Sequence, residues 1–298
     1  MSETSDLPPL RTPEPRQLLP TDAEWPDGVH DLARPPRELF VAGALPPGPR
    51  VAIVGTRRAD PGGLRFARRL AEGLAARGIS VVSGGARGID GAAHRGALEA
   101  TAGAPTLAVL AAGVLRAYPP EHAELFARIA GRGALVSEVL HAAPQKGRFV
   151  ARNRLVAALA DAVVVVQAPA RSGALVTARW AVKLDRPLLA APGAPWDDRA
   201  EGANALIREG HAAPCLGLAD VLRVLGRPED PGAGTRAAFA AAPAALRPVH
   251  RALGATAQHV DDLADALGSD VASVQRALLQ LLLLGLATER DGLWSRQA

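Results

Sequence analysis

Short apolar runs alternate with amphipathic segments between residues 51 and 209. The runs that predict strands are Val51–Val54, Ile79–Ser83, Thr106–Leu110, Ala134–Ser137, Ala162–Val166 and Pro187–Ala191. They are rich in β-branched residues and lack polar alternation, which is typical of strands buried on both faces of a parallel sheet. The amphipathic segments between them, such as Leu64–Ala76 and Arg152–Ala160, predict helices. This alternation indicates right-handed crossovers and an open sheet.

Composition divides the chain into four parts. Residues 1–24 are polar and proline-rich, and we expect them to be a disordered tail. Residues 25–225 carry the alternating pattern, and a Pro/Gly/Ala-rich linker follows over residues 226–245. Residues 246–298 hold three helical patterns and a hairpin signal at Asp291-Gly292, a combination typical of a winged helix. The predicted fold class is α/β: an extended Rossmann-like, mostly parallel sheet plus a small C-terminal winged-helix-like domain.

Positive charge is concentrated in the middle of the chain. The formal net charge is +4, but residues 51–242 carry +8, whereas residues 1–50 carry −3 and residues 243–298 carry −1. Such a segment favours a polyanionic partner, although an arginine-rich surface that only maintains solubility fits the total equally well.

Two classes of protein are not supported by the sequence. No apolar run approaches the ~18 residues of a membrane span, and the N-terminus lacks a basic region followed by an apolar one. We therefore expect a cytoplasmic protein that does not contact a membrane. The single cysteine, Cys215, excludes an internal disulfide.

A glycine-rich loop that begins at Ser83, SGGARGID, joins a predicted strand to a predicted helix. Backbone N–H groups and the helix dipole favour an anion at such a position. The glycines, among them Gly84 and Gly88, do not match the G-x-G-x-x-G fingerprint, and no G-x-x-x-x-G-K-[ST] motif occurs. Arg87 in this loop and Arg57 after the first strand are either forks for phosphate or solvated arginines beside ordinary turns.

The segment PQKGRFVARNRL, residues 144–155, places basic side chains around one aromatic ring. The ring is that of Phe149, and the five basic groups around it are Lys146, Arg148, Arg152, Arg154 and the nearby Arg171. Single-stranded nucleic acid requires cations that follow its phosphates and rings that stack on its bases. The alternative is that Phe149 fills the core beside the helix.

A Ser–His–Asp arrangement can also be drawn near the glycine-rich loop. His94 follows Asp90 by four residues on one helical face, close to Ser83 in the sequence. No G-x-S-x-G elbow exposes the serine. Asp90 is better explained as a carboxylate at a helix N-terminus, and His94 as a hydrogen-bonded structural histidine. Metal-ligand spacings such as H-E-x-x-H are absent.

Several motifs occur together in a fixed order. They are GTR, SGGARGIDGAAH, AYPPEH, LVSE, FVARNR, SGALVTA and APG followed by EGANALIREG. In this order they resemble the DNA-processing protein A family, also called DprA or Smf, over roughly residues 25–225. The tail resembles the winged-helix domain that many members carry. The resemblance implies a Rossmann fold without known catalysis that binds single-stranded DNA, dimerises and loads RecA recombinase during natural transformation.

The resemblance also implies which residues bind DNA. They are Arg57, Ser83, Gly84, Arg87, Gly88, Lys146, Arg148, Phe149, Arg152, Asn153, Ser172, Gly173 and Thr177. No catalytic residue, cofactor or metal is expected, and the implied partners are single-stranded DNA, RecA and a second copy of the chain. The alternative is a nucleotide-hydrolysing enzyme of the phosphoribohydrolase type. The PGGxGT loop of those enzymes is not matched, because Leu64 follows Pro61-Gly62-Gly63.

Overall fold

The computed structural model describes residues 10, 12–143, 145–227, 243–254, 256–284 and 286–296. The chain divides into two compact units between residues 228 and 229. Among the described ranges, no helix combines the length and the apolar character that crossing a bilayer requires.

A nine-stranded sheet forms the centre of the first unit. Its strands are β1 (Arg16–Leu18), β2 (Leu39–Gly43), β3 (Arg50–Gly55), β4 (Ser80–Ser83), β5 (Thr106–Val109), β6 (Ala134–Ser137), β7 (Ala162–Val166), β8 (Leu188–Ala190) and β9 (Ala213–Pro214). Their spatial order is β1-β2-β6-β5-β4-β3-β7-β8-β9. Strands β3 to β9 pair in parallel, whereas β1 and β2 pair antiparallel at one edge. The predicted extended, mostly parallel sheet is confirmed.

Helices cover both faces of this sheet. They are α1 (Pro61–Ala75), α2 (Ile89–Glu99), α3 (Ala123–Arg132), α4 (Lys146–Ala158), α5 (Gly173–Lys183), α6 (Glu201–Arg208) and α7 (Leu218–Val224). Strand β3 shows why its sequence lacks polar alternation. Val51 and Ile53 belong to the core cluster on the side of α1 and α2, whereas Ala52 and Val54 belong to the cluster that contains α4 and α5. Successive strand residues point to opposite faces, and here both faces are buried.

The direction of the crossovers reverses at β3. From β3 the chain passes to β4, β5 and β6 on one side, and then returns to β7 on the other side. The register places Gly55 opposite Val166, so the two strands end together. The loops that follow them diverge and leave a crevice at the carboxyl edge of the sheet, where ligands of such sheets bind.

Part of the predicted disordered tail, residues 1–24, has a defined structure. Strand β1 pairs with β2, and Leu18 is only 4% exposed in the core. The Arg16 guanidinium donates to the Gly43 carbonyl and to the Glu24 carboxylate. The prediction was wrong for residues 12–24, because strand pairing and one buried leucine outweigh a proline-rich composition. Residues 1–9 and 11 lie outside the described residues.

Helix α4 begins earlier than the predicted helix Arg152–Ala160. It starts at Lys146, in the basic segment, where no apolar periodicity marks a helix in the sequence. Phe149 and Arg152 therefore share one rigid element that leads into β7.

In the second unit, the described residues form three α-helices and a small antiparallel sheet. These elements are α8 (Arg247–Ala252), α9 (Val260–Leu267), α10 (Val271–Leu283), β10 (Gln258–His259), β11 (Ala287–Arg290) and β12 (Leu293–Arg296). The sheet order is β10-β12-β11. Asp291 and Gly292 both have positive φ in the β11–β12 turn, which the hairpin signal predicted. The winged-helix-like arrangement is confirmed. Of the predicted linker 226–245, residues 228–242 lie outside the described residues.

Candidate nucleic-acid interface

A cleft of about 920 Å³ opens at the carboxyl edge of the sheet, where the crossovers reverse. Its walls are the loops that follow β3, β4 and β7, together with α4 and the first turns of α5. Eight of the thirteen residues predicted to bind DNA line it. They are Arg57, Gly84, Phe149, Arg152, Asn153, Ser172, Gly173 and Thr177.

Phe149 lies at the cleft between a cation and a second aromatic ring. The Arg57 guanidinium is 5.0 Å from the centroid of the Phe149 ring, within the range of a cation–π interaction. The Tyr118 ring lies 5.4 Å from the same centroid, tilted by 53°. Phe149 is half-buried, so it does not fill the core. The ring is a partly exposed surface that a planar ligand can meet.

Three arginines carry exposed positive charge at the cleft. Arg57 and Arg58 follow β3, and Arg171 precedes α5. Among the described residues, none of the three pairs with a carboxylate. Arg58 and Arg171 were not among the residues predicted to bind DNA. The signal for them was present, since each lies in a loop that follows a strand.

Arg152 also lines the cleft, but its guanidinium is turned inward and only 7% of the residue is exposed. Its Nη1 donates to the Gly84 carbonyl at 2.5 Å and to the Val109 carbonyl. Burial lowers the pKa of Arg152 to about 10, although the nearby Asp90 charge opposes this shift. The expectation that Arg152 reaches a phosphate is corrected. Arg152 clamps the glycine-rich loop and β5 to α4.

Asp90 is the carboxylate that balances this buried cation. Burial raises its pKa, whereas the Arg152 charge and the Ala86 N–H lower it. The Ala86 N–H lies 3.2 Å from the carboxylate. Asp90 is therefore a structural carboxylate at the start of α2, as the sequence indicated.

The glycine-rich loop requires glycine for two different reasons. At Gly84, a Cβ atom would lie 2.5 Å from the Arg152 Nη2, so a side chain would displace the clamp. At Gly88, φ is +74° and a Cβ would lie 2.3 Å from the Thr56 carbonyl oxygen. Both glycines shape the loop, and Gly88 packs it against the loop that follows β3.

Three other predicted residues use their side chains within the protein. Ser83 is fully buried and its hydroxyl donates to the Ile53 carbonyl at 2.6 Å. The Asn153 amide donates to the Gly173 carbonyl at 3.0 Å, and Thr177 is 2% exposed. The expectation of direct contact is corrected for Ser83, whose hydroxyl has no access to a ligand.

Ser172 and Gly173, which were also predicted to bind DNA, lie in the loop that caps helix α5. The Ser172 hydroxyl accepts a hydrogen bond from the Ala174 N–H at 3.2 Å, as expected for an N-cap. Gly173 is exposed beside it.

The remaining predicted cations are outside the lining of the main cleft. Arg87 is exposed, and its guanidinium donates to the Glu121 carboxylate. Arg148 is half-buried on α4, and its Nη1 is enclosed without a hydrogen-bond partner among the residues that the structure describes. The side chain of Lys146 lies outside the described part of the structure.

Sequence reasoning missed Tyr118. It lines the cleft through its contact with Phe149, and it is 36% exposed. It is the single tyrosine of the chain. A lone aromatic beside two prolines in a loop after a strand was the available signal.

The Ser–His–Asp arrangement considered from the sequence, Ser83, His94 and Asp90, does not form a catalytic site. His94 is fully buried, and its Nδ1 lies 2.8 Å from the Thr106 hydroxyl. That hydroxyl donates to the Val81 carbonyl, so it accepts from the His94 Nδ1–H. Burial lowers the pKa of His94 to about 3, which keeps the ring neutral. The interpretation of His94 as a structural histidine is confirmed. In the described ranges, no cluster of three or more His, Cys, Asp or Glu side chains is arranged to hold a metal.

Known families and relatives match this chain over most of its length. The model for DNA recombination-mediator protein A matches residues 16–226, and the model for the DprA winged helix domain matches residues 233–292. The putative DNA processing protein DprA of Mycobacterium tuberculosis is 41% identical over 302 residues, covering 94% of this chain and 76% of the relative. The DNA processing protein DprA of Bacillus subtilis is 35% identical over 194 residues, covering 64% of this chain and 65% of the relative.

Two solved structures share the fold. DNA processing protein A from Helicobacter pylori, described for its single-stranded DNA binding mode, is 32% identical with a TM-score of 0.64. The match covers 72% of this chain and 96% of that one. DprA from Streptococcus pneumoniae is 31% identical with a TM-score of 0.65, covering 74% and 75% of the two chains.

Gly88 offers a test of the loop packing. We expect Gly88→Ala to lower the free energy of unfolding by about 1–3 kcal/mol, because a non-glycine residue is strained at this φ and its Cβ meets backbone. Gly131→Ala is the matched control, since outside its own stretch of helix no atom of the described residues lies within 4 Å of its added Cβ. Urea unfolding of both variants makes the comparison. An equal loss of unfolding free energy in the two variants would contradict the proposed packing of Gly88 against the loop that follows β3.

His94 makes stability depend on pH. The unfolded chain binds a proton at this residue near pH 6.5, whereas the folded chain binds it only near pH 3. As the pH is lowered, the unfolded state therefore takes up the proton before the folded state does. Below pH 6.5 the free energy of unfolding decreases by up to about 1.4 kcal/mol for each pH unit. We expect His94→Asn, which cannot titrate, to lose less stability between about pH 7 and pH 5 in urea unfolding. The exposed His141→Asn should behave as the wild type; if it also reduces the loss, His94 is not the cause.

Proposed function

This chain belongs to the DNA recombination-mediator protein A family of DNA-processing proteins, and we propose that it binds single-stranded DNA in the cleft at the carboxyl edge of its sheet. The observation that carries the proposal is the position of Phe149. Its half-buried ring meets Arg57 and Tyr118 at the cleft. Cations beside stacking rings are the arrangement that binds a single strand without reading its sequence.

The charge of the cleft supports the same ligand. Arg57, Arg58 and Arg171 are exposed, whereas the carboxylate in the lining, Asp90, is buried and opposed by Arg152. Phosphates that pass along these arginines release counterions, which supplies most of the affinity for a strand of any sequence. The related Helicobacter pylori protein, described for its single-stranded DNA binding mode, adds support.

We propose that the chain acts by binding and not by catalysis. His94 is neutral and buried, and the Ser83 hydroxyl is held by a backbone carbonyl. Pro61-Gly62-Gly63 opens helix α1, where the Asp60 carboxylate accepts from the Gly63 N–H at 2.7 Å. The cap keeps that turn occupied by the protein's own carboxylate, which gives no support to the phosphoribohydrolase alternative.

Family membership further supports a role as a recombination mediator. We propose that the bound strand is passed to RecA recombinase in the cytoplasm, during natural transformation, and that the chain works as a homodimer. Two strongly exposed apolar side chains, Trp196 at 86% and Leu216 at 75%, suit a second copy. Leu216 follows β9, the edge strand of the sheet.

We assign different roles to the predicted domains. We propose that residues 25–225 hold the DNA strand and that residues 246–298 bind a partner. Helix α10 of the second unit exposes Leu279, Leu282 and Leu283. Its basic and amide residues are Arg276, Gln275 and Gln280. A helix that reads bases displays more basic and amide groups than this.

Strand preference tests the proposed function most directly. Bases stacked in a duplex cannot reach Phe149, whereas phosphates are available in both forms. We therefore expect an oligo(dT) to compete better than a duplex of equal length, with little dependence on sequence. A duplex that competes as well as the oligo(dT), or better, would contradict the proposed function.

The two kinds of contact can be separated by salt. Each phosphate contact to a single strand contributes about 0.7 to the slope of log affinity against log salt. We expect Arg57→Ala to weaken oligonucleotide binding and to flatten this slope by roughly one contact. Phe149→Ala should instead lose about 1–3 kcal/mol of binding with the slope unchanged.

Arg95 and Arg128 on the outer helices are the charge controls. Their replacement by alanine should alter neither affinity nor slope beyond the small effect of one distant charge. Thermal unfolding should be nearly unchanged in the three arginine variants, because exposed side chains usually alter stability by less than about 0.5 kcal/mol. A slope that survives Arg57→Ala would place the DNA site elsewhere.

A further inference from the structure

A short segment, residues 118–122, crosses the rim of the cleft. It is held at three points. The Tyr118 ring packs on Phe149, the Glu121 carboxylate accepts from the Arg87 guanidinium, and the His122 Nδ1–H donates to the Gly85 carbonyl at 3.1 Å. His122 is 4% exposed, so this end of the segment is fixed in the protein. We call residues 118–122 the strap.

Tyr118 and Pro119 of the strap line a second, much smaller cavity beside the main cleft. This cavity has a volume of about 40 Å³ and is lined by Arg57, Arg87, Tyr118, Pro119 and Phe149, with the backbone of the glycine-rich loop. Such a volume holds roughly one water molecule, whose share of liquid volume is about 30 Å³. A phosphodiester with its sugar does not fit while the strap stays in place. Yet two guanidiniums, those of Arg57 and Arg87, line this space.

The ion pair between Arg87 and Glu121 is suited to exchange. The two side chains are 63% and 48% exposed, so solvent screens their attraction and the pair is weakly held. A carboxylate and a phosphate present the same pair of acceptor oxygens to a guanidinium fork. Interaction with Arg87 lowers the pKa of Glu121 to about 2, so the carboxylate remains charged at ordinary pH. In the protein without a ligand, this charged carboxylate is therefore available to pair with Arg87.

We propose that Glu121 is a latch that occupies the phosphate position of Arg87, and that a phosphate of the bound strand replaces it there. The inference rests on the proposed function of the cleft. The exchange frees the strap, joins the small cavity to the cleft and places one phosphate between Arg57 and Arg87. Tyr118 lies on the same strap as Glu121. A ligand therefore displaces the strap best when one of its bases replaces Tyr118 on Phe149 while one of its phosphates binds the Arg87 guanidinium. The latch selects strands over free phosphate.

The test compares two variants, each of which lacks one negative charge of the wild type. Glu121→Gln removes the latch, and Glu124→Gln, three residues further on and also exposed, removes an equal charge without an ion pair among the described residues. We expect Glu121→Gln to bind an oligo(dT) about three- to fivefold more tightly than the wild type in fluorescence anisotropy, which is the scale of one exposed ion pair. Glu124→Gln should change the affinity less than about twofold.

A second arm removes Arg87. In the Arg87→Ala background, Glu121→Gln should give no larger gain than Glu124→Gln, because no guanidinium remains to be released. An equal gain with and without Arg87 would overturn the latch, as would a Glu121→Gln variant that matches Glu124→Gln. Neither of these two results would contradict DNA binding in the cleft, provided that the wild type binds the oligonucleotide. A wild type that does not bind the oligonucleotide overturns the proposed function and the latch together.

The variants are expected to fold, because the replaced ion pair is exposed and such pairs contribute little to stability. Glu121→Ala is the second variant, and it removes the acceptor as well as the charge. It should show the same gain in affinity as Glu121→Gln. Inorganic phosphate, tested as a competitor, should displace the strand more effectively from Glu121→Gln than from the wild type; equal competition would overturn the claim of selectivity.

Discussion

The buried guanidinium of Arg152 ties the parts of the cleft together. Its hydrogen bonds reach the carbonyl of Gly84, which directly follows β4, and the carbonyl of Val109, which ends the neighbouring strand β5. A buried charge is costly unless it is paired and hydrogen-bonded, and the Asp90 carboxylate provides the compensating charge. The glycine at position 84 is required because the guanidinium packs directly against it. Helix α4, the glycine-rich loop and α2 are thereby fixed relative to one another, and Phe149 is fixed with them.

This clamp divides the polar residues of the cleft into two groups. Ser83, Asp90, Arg152 and Asn153 direct their side chains to backbone or to one another, and they hold the walls in position. Arg57, Arg58 and Arg171 remain exposed and carry the charge that we propose a strand meets. A rigid inner group lets the outer arginines stay solvated until a ligand arrives. In the proposed function, the affinity that these arginines supply depends on salt, whereas the shape of the cleft does not.

The strap adds both an aromatic ring and a negative charge at the rim of the cleft. It adds a second aromatic ring beside Phe149, but it also adds a carboxylate beside a cation. In the proposed function, stacking and charge are thus coupled through five consecutive residues. Such coupling favours a ligand that offers bases and phosphates together, and this is the chemistry of a nucleic-acid strand.

The local pattern of the sequence determined the strands, the parallel sheet, the winged-helix-like tail and the edge at which the loops meet, because apolar periodicity and turn residues depend on neighbours in the chain. It also identified Phe149 and Arg57. Only the tertiary structure decided which polar side chains face inward. Arg152 and Arg57 look alike in the sequence, but Arg152 lies beneath Gly84 and is buried, whereas Arg57 lies above Phe149 and is exposed. Likewise, the pairing of Arg87 with Glu121, and of Tyr118 with Phe149, joins residues more than 30 positions apart. Burial and pairing of this kind depend on how distant segments pack, and no local pattern records that.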